Sequence, residues 1–247
     1  MAGHSHAHNV AVRKGKQDAK KAVECSKASK DIMIAARAGA DPNSNFQLRH
    51  AIQKAKAISL PKDRIDNAIK KGAGLLDNSK MQMVMYEGYA PGGIAIIVEC
   101  LTDNLNRTIP LIRSIFDKAG GSIGTPGSVA YMFKRKGLFV FDGLGKSKEE
   151  LEELLILEKE FDVTLEALGK EKFEVLCPIE EFQKVTEFLT EIFSLEVSEL
   201  SMIPDLQIAL SEEKMKAIFK LIETFEECED CAHVYSNLEL GNTILDF

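Results

Sequence analysis

The sequence predicts an α+β protein: an N-terminal three-helix domain followed by two α/β sandwich domains of βαββαβ type, one inserted into the other. Three observations support this fold class. Before residue 80, apolar residues recur at helical spacing. After residue 80, short apolar runs typical of buried strands alternate with amphipathic helical segments. Residues 137–204 have a complete βαββαβ order of their own, which predicts an insertion.

This order divides the chain into four predicted segments. Residues 1–16 form a flexible basic tail, because they have no periodic apolar pattern. Residues 17–78 form the helical domain. Residues 81–134 plus 205–247 form a discontinuous α/β domain, and residues 135–204 form an inserted ferredoxin-like α/β domain.

The first predicted helix has one apolar face and one basic face. At 100° per residue, with Lys20 at zero, the apolar side chains fall between about 60° and 160°. The basic side chains fall between about 260° and 360°: Lys20, Lys27, Lys30 and Arg37. The cluster that follows Gly39 ends this helix. A second helix spans Leu48–Ile58, and a third begins at Pro61 and ends at Gly72.

The strands and helices of the discontinuous domain are predicted from apolar runs on both sides of the insertion. Strands are predicted at Met83–Gly88, Ile94–Val98, Ser128–Phe133, Leu206–Leu210 and Ala232–Tyr235, with helices at Pro110–Ala119 and Glu212–Glu227. Tyr86–Gly93 is a turn-rich segment, either a ligand loop or a hairpin turn.

The insertion has its own element order. Its predicted strands are Leu138–Phe141, Val163–Leu168, Phe173–Leu176 and Val197–Ile203, with helices at Lys148–Leu157 and Ile179–Phe193.

Composition limits the function classes. The chain has 247 residues and a net charge of −7, and its apolar runs fall short of the ~20 residues that span a bilayer. The start lacks a hydrophobic signal core, and five scattered cysteines indicate no disulfide framework. We therefore expect a cytoplasmic protein without a membrane partner.

Charge is distributed unevenly along the chain. Residues 1–80 contain 16 lysines and arginines against 7 acidic residues, whereas residues 81–247 contain 15 against 31. A basic end on an acidic body predicts a polyanion partner at that end.

Three short motifs have simpler interpretations than a ligand site. Gly145-Lys146-Ser147 lacks the first glycine of a phosphate loop, so a turn and helix start is favoured. Cys228-Glu229-Asp230-Cys231 is a single C-x-x-C without a second pair, which favours packing at a helix end. The histidines of the N-terminal tail lack a preorganised site. We predict no catalytic residues, no metal, no cofactor and no small-molecule substrate, and hence no enzyme.

Two regions remain as nucleic-acid contacts. Clustered cations of the basic end neutralise phosphates, and this set comprises Arg13, Lys14, Lys16, Lys20, Lys27, Lys30, Arg37, Lys56, Lys62, Lys70 and Lys71. The second region is the polar loop between a buried strand and a helix, with Asn104, Asn106 and Arg107. These residues either contact the nucleic acid or cap the helix.

Many short motifs also resemble the YebC/PmpR family, which includes a mitochondrial translational activator. The matching pieces cover essentially the whole chain and are densest in residues 1–137. They include Met1-Ala2-Gly3-His4-Ser5, Arg13-Lys14-Gly15, Ala35-Ala36-Arg37, Pro61-Lys62-Asp63, Tyr86-Glu87-Gly88-Tyr89, Glu99-Cys100-Leu101-Thr102-Asp103-Asn104, Asn106-Arg107-Thr108 and Gly127-Ser128-Val129-Ala130-Tyr131.

The resemblance implies three domains and a regulatory role without enzyme activity. Bacterial members of the family are described as transcriptional regulators that bind DNA, and other members act in translation at the ribosome. We therefore expect a non-enzymatic nucleic-acid-binding regulator, with DNA as the first target. The alternative is a ribosome-associated translation factor that binds ribosomal RNA. Composition does not separate the two, because both use the same electrostatics.

Overall fold

The computed structural model describes residues 19–76, 81–169 and 171–239, with side chains from Glu24 onward. The predicted basic tail, residues 1–16, lies outside the described residues. The chain divides into two compact units. Within the described residues, one contains residues 19–130 and Leu210–Ser236, and the other contains Tyr131–Ala209 and residues 237–239. The architecture is an N-terminal helical region with two antiparallel sheets, which confirms the predicted fold class.

Three helices form the N-terminal region: α1 (Ala19–Ala36), α2 (Phe46–Ala57) and α3 (Lys62–Gly72). Helix α2 begins where the Asn45 side chain accepts a hydrogen bond from the Leu48 backbone N–H at 3.0 Å. Their shared core contains Ile32, Leu48, Ala55 and Ile65, which are all buried. The apolar face predicted for the first helix therefore packs as expected.

Four strands form the sheet of the first unit: β1 (Gln82–Ala90), β2 (Ile94–Thr102), β3 (Ser122–Ile123) and β8 (Cys231–Ser236). Their order is β3-β1-β2-β8, and every described pairing is antiparallel. All nine residues of β2 are buried, so this strand is covered on both faces. Strand β8 therefore lies at the edge of the sheet beside a fully buried strand.

Two helices pack against this sheet: α4 (Leu105–Lys118) and α7 (Glu212–Glu227). The rings of Phe116 and Phe225 meet edge to face, with centroids 4.9 Å apart, which joins the two helices. Helix α4 begins five residues before the predicted Pro110, because Asn104 caps it. The turn-rich segment is a hairpin: Tyr86–Ala90 belongs to β1, and Gly92 and Gly93 adopt positive φ in the turn.

The predicted strand Ser128–Phe133 is wrong. Residues Ala130–Met132 form a short 3₁₀ helix, and Phe133 is the first residue of the next strand. The buried Glu87 carboxylate accepts hydrogen bonds of 2.6–2.7 Å from the backbone N–H groups of Gly127, Val129 and Ala130. These N–H groups are therefore unavailable to a sheet, and the segment is held as a loop.

The second unit contains β4 (Phe133–Asp142), β5 (Thr164–Ala167), β6 (Lys172–Cys177) and β7 (Leu195–Pro204) in the order β5-β6-β4-β7. Helix α6 (Phe182–Ile192) packs on this sheet. Helix α5 (Lys148–Glu152) continues as a π-helical turn over Glu153–Glu158. The element order is the predicted βαββαβ. Phe139 stacks on Phe182 at 5.3 Å, and Phe141 stacks on Phe193 at 4.5 Å, which fixes the core.

The predicted strand Leu206–Leu210 is also wrong. Ile208 makes a single parallel bridge with Leu238, and Leu206 is 79% exposed. The apolar run resembles a strand, but it has no neighbouring strand along its length within the described residues. Among those residues, no helix is long and apolar enough to cross a membrane.

Gly72 permits a close approach of α3 to α1. A Cβ at this position would lie 2.7 Å from the Cα and 2.8 Å from the carbonyl carbon of Met33. We expect Gly72→Ala to lower the free energy of unfolding by about 1–3 kcal/mol, because the helices must separate. The gain in helix propensity, about 1 kcal/mol, offsets only part of this loss. The exposed Asn67→Ala on the same helix is the control. Denaturant titration of both variants measures the difference, and an unchanged Gly72→Ala midpoint would contradict the packing argument.

The predicted boundaries of the insertion stay a prediction, which a deletion tests. We expect a chain in which a flexible linker replaces residues 135–204 to unfold cooperatively, because β1, β2, β8 and their two helices keep their mutual contacts. Circular dichroism during thermal unfolding would show a single transition. A non-cooperative melt would mean that the discontinuous domain depends on the insertion.

Candidate nucleic-acid interface

The exposed cations of the helical region lie on α2, α3 and the turn that precedes α2. Between Arg37 and Leu76 the chain carries eight lysines and arginines and three aspartates. Four of the predicted contact residues here have exposed side chains: Lys56, Lys62, Lys70 and Lys71. Such clustered, flexible cations suit phosphate contacts because each neutralises charge without disturbing the core.

Arg37, at the end of α1, is also exposed. Its Nη1 donates a hydrogen bond to the carbonyl oxygen of Met81 at 3.1 Å. This bond leaves the other guanidinium N–H groups available to a phosphate. Arg37 thus remains a candidate contact.

Two of the four cations predicted on the basic face of the first helix, Lys27 and Lys30, are packed within the protein, which corrects their assignment as phosphate contacts. Lys30 is only 7% exposed, and its Nζ donates to the carbonyl oxygen of Cys231 at 2.6 Å. Lys27 forms an ion pair of 3.4 Å with Glu226 of α7. The part of this face that carries Lys27 and Lys30 therefore packs on α7 and β8, and these two lysines belong to an internal interface.

A third contact belongs to the same interface. His233 Nε2 lies 3.1 Å from Asp31 Oδ1. Burial disfavours the ionised carboxylate, but the charge and hydrogen bond of His233 outweigh it and hold the pKa of Asp31 below its usual range. Burial lowers the pKa of Lys30, and the surrounding Cys231, Cys228 and Asp230 oppose that shift. We call these contacts of Lys27, Lys30 and Asp31 with α7 and β8 the α1 docking interface.

Four of the predicted cations cannot be placed. Arg13, Lys14 and Lys16 lie outside the described residues. Lys20 lies in α1, but its side chain is outside the described part of the chain. Their proposed role in phosphate binding stays a prediction.

The polar loop before α4 has a structural role. The Asn104 side chain accepts a hydrogen bond from the backbone N–H of Arg107 at 3.2 Å and caps the helix. The backbone N–H of Asn104 in turn donates to the Thr102 hydroxyl at 3.0 Å. The helix-cap interpretation of this loop is therefore confirmed for Asn104. Asn106 is exposed in the first turn and stays a candidate contact.

Arg107 binds Asp230, which lies just before β8. Its Nη2 is 2.7 Å from Oδ1 and its Nε is 3.2 Å from Oδ2, and Thr108 Oγ1 donates to Oδ2 at 2.7 Å. Burial favours the neutral acid, but these bonds and the Arg107 charge hold the pKa of Asp230 below its ordinary value. Arg107 therefore fastens α4 to the edge strand.

The sequence contained a signal against an exposed basic face on α1. Asp31 falls at about 20° and Glu24 at about 40° on the same helical wheel, so that face carries both signs. Mixed charge on one face suits ion pairing within the protein. The partners Glu226, Asp230 and His233 lie some 200 residues away in the sequence and could not be assigned to this helix.

Two of the motifs singled out in the sequence have structural roles. Ser147 caps α5 in a reciprocal pair with Glu150, which confirms the helix-start interpretation. Cys228 and Cys231 are buried where α7 ends and β8 begins. Over residues 19–76, 81–169 and 171–239, no three side chains of histidine, cysteine, aspartate or glutamate group closely enough to hold a metal ion.

Comparison with known families covers nearly the whole chain. Residues 5–75 match the TACO1/YebC protein N-terminal domain, and residues 81–238 match the TACO1/YebC second and third domain. The chain belongs to the TACO1/YebC family.

Relatives within this family extend over the full length. A "Probable transcriptional regulatory protein" of Geobacillus thermodenitrificans is 42% identical over 241 residues, covering 97% of both chains. One of the same name from Maridesulfovibrio salexigens is 41% identical, covering 99% of this chain and 98% of the relative. The crystal structure of a conserved hypothetical protein from Aquifex aeolicus matches with a TM-score of 0.81 and 36% identity, covering 94% and 96% of the two chains.

The two acidic partners of Arg107 differ in burial, which gives a matched pair of variants. Asp230 is 8% exposed, whereas Asp103, which lies 3.3 Å from the same guanidinium, is 51% exposed. We expect Asp230→Asn to lower the free energy of unfolding by about 1–3 kcal/mol, because buried hydrogen bonds to a charged group are lost. Asp103→Asn should change it by less than about 0.5 kcal/mol.

The pH dependence of the free energy of unfolding gives a second test of the role assigned to Asp230. Because the folded pKa of Asp230 is depressed, its contribution is present above the unfolded pKa of about 3.9 and is lost as pH falls through the folded pKa. Urea titrations between neutral and acidic pH should therefore show the Asp230→Asn deficit shrinking toward low pH. A deficit of constant size at every pH would contradict the assignment.

Proposed function

We propose that this protein is a non-enzymatic regulator of transcription that binds DNA through the exposed cations of α2 and α3 together with Arg37, which follows α1. The observation that carries the proposal is the excess of exposed positive charge on these two helices. The full-length relatives named as transcriptional regulatory proteins support the same class of function. The contact set is Arg37, Lys56, Lys62, Lys70 and Lys71, and it excludes Lys27 and Lys30 because these pack inside.

The chemistry of this surface favours phosphate contact over base readout. Phe46 is the only aromatic residue before residue 80, and the guanidinium of Arg49 lies over its ring at 5.3 Å. The stacking platform that single-stranded nucleic acids require is therefore absent from the described residues of the helical region. The exposed face of α3 mixes Asp63 and Asp66 with its cations, which suits backbone contact better than a recognition helix. We expect binding that is tolerant of sequence and strongly dependent on salt.

A quadruple variant tests this surface. Lys56→Ala, Lys62→Ala, Lys70→Ala and Lys71→Ala together should weaken binding to duplex DNA nearly equally across sequences. If each lysine contacts one phosphate, the slope of log affinity against log salt should shrink by roughly 3 to 4. Helix content should not fall, because alanine is the best helix former. Fluorescence anisotropy at several salt concentrations measures both quantities.

The matched control removes the same charge elsewhere. Lys146→Ala, Lys184→Ala, Lys214→Ala and Lys220→Ala alter four exposed lysines outside the helical region. This control should keep the wild-type salt slope. Equal losses in the two variants would mean that net charge, and not the α2–α3 surface, determines binding.

A parallel titration with structured RNA separates the proposed target from the translational alternative. Tighter binding to duplex DNA at matched salt supports transcriptional regulation. Tighter binding to the RNA would overturn DNA as the target while leaving the phosphate-binding surface intact.

A further inference from the structure

Three buried cysteines lie together where the edge strand β8 begins. Cys100 of β2 is 0% exposed, Cys231 of β8 is 1% exposed, and Cys228 is 9% exposed. All three are present as thiols. Neither the proposed phosphate-binding surface nor the acid–base contacts of α4 use these sulfur atoms.

The ladder geometry places Cys100 and Cys231 directly opposite each other. They are register partners in the antiparallel β2–β8 pair, just after a β-bulge that shifts the register between Glu99 and Cys100. Leu101 N–H donates to the carbonyl oxygen of Asp230 at 2.9 Å, which joins the residue after Cys100 to the residue before Cys231. Opposed residues of paired antiparallel strands have Cα atoms about 4.5–5.5 Å apart, which lies within the range that a disulfide spans.

The two side chains interact electrostatically across the strands, and the Cys231 thiol lies 3.7 Å from the carbonyl oxygen of His233, to which it donates. The neighbouring Cys100 thiol and the Lys30 ammonium outweigh burial and lower the pKa of Cys231, whereas the neighbouring Cys231 and burial raise the pKa of Cys100. Cys231 is thus the stronger candidate for the attacking thiolate, and Cys100 is placed to resolve it.

Cys228 is a weaker partner despite the C-x-x-C spacing. It lies where α7 ends, in the loop before β8, and burial raises the pKa of its thiol. The Cys231 backbone N–H donates to the Cys228 carbonyl oxygen at 3.0 Å and closes that loop. The contact between the strands therefore favours Cys100 over Cys228.

We propose that Cys100 and Cys231 form an oxidisable pair that closes to a cross-strand disulfide when the protein meets hydrogen peroxide. The Cys231 thiolate attacks one peroxide oxygen, the O–O bond breaks, and the leaving hydroxide takes up a proton as water. Cys231 is then a sulfenic acid. The Cys100 sulfur attacks the Cys231 sulfur, the S–O bond breaks, and a second water leaves with the thiol proton. The two thiols lose two electrons and the peroxide gains them.

Access to the buried pair requires local opening, and the fold supplies a place for it. Cys231 is the first residue of β8, an edge strand that follows a loop. Strand ends at a sheet edge open with a smaller free energy than central strands do. A disulfide at this point would fasten the start of β8 to the buried strand β2.

Peptide mapping of the full chain tests the proposal. The reduced protein is exposed to limiting hydrogen peroxide, quenched with N-ethylmaleimide and digested without reductant. Mass spectrometry should find a peptide linking Cys100 to Cys231 as the main disulfide. In Cys100→Ala, Cys231 should accumulate as a sulfenic acid that dimedone labels. Cys25→Ala, which changes a cysteine of the helical region, should leave the cross-link unchanged.

Two outcomes would overturn the proposal. One is a Cys228–Cys231 link as the main product. The other is recovery of Cys100 and Cys231 as alkylated thiols after an exposure that oxidises other residues of the chain. The peptide map of the wild-type protein detects either outcome even if the Cys100→Ala variant does not fold.

Discussion

The burial of the Lys30 ammonium against the Cys231 carbonyl is the contact on which the arrangement of the first unit depends. A buried ammonium is tolerated only where a hydrogen bond and nearby negative charge replace its water. Here the carbonyl oxygen lies 2.6 Å away, and Asp230 contributes charge from the same loop. Because these partners belong to the start of β8, α1 packs on the α/β domain in one position.

The α1 docking interface has consequences on both sides of the helix. One face of α1 packs against α2 and α3, and the other packs on α7 and β8, so no side chain from Cys25 to Ala36 is exposed. The helical region thereby continues the core of the α/β domain. Close packing on two faces also explains why Gly72 must approach the Met33 backbone without a Cβ.

Much of this fold follows from the sequence. The three helices, the βαββαβ insertion and the final strand are predicted from apolar periodicity, since burial on one face leaves a regular pattern. The two false strands show what periodicity cannot report. In the predicted strand Ser128–Phe133, Val129 and Ala130 donate their N–H groups to the Glu87 carboxylate some 40 residues away. Leu206–Leu210 has strand-like residues, but among the described residues no strand pairs with it along its length. Both outcomes depend on contacts between distant segments, which local patterns do not contain.

The sequence predicts which region carries the excess positive charge of the candidate site, but not which of its cations are exposed. The charge excess marks the helical region, and the exposed lysines of α2 and α3 are among the predicted residues. Which cations are paired within the protein is decided by partners far along the chain: Glu226 for Lys27, the Cys231 carbonyl for Lys30 and Asp230 for Arg107. The sequence alone does not distinguish a lysine or arginine that is paired within the protein from one that faces solvent.

The charge asymmetry of the chain therefore has two origins. Part of the positive excess before residue 80 is matched internally by the acidic α/β domain, since Lys27 meets Glu226 and Lys30 lies beside Asp230. Acidic residues of the α/β domain thus interact with cations of the N-terminal helical region. Among the described residues, the exposed charge that remains on α2, α3 and Arg37 is the part that the proposed phosphate-binding surface would use, and counterion release would depend on it. A net charge of −7 is compatible with a phosphate-binding surface because exposed cations cluster on α2 and α3, whereas the acidic excess lies after residue 80.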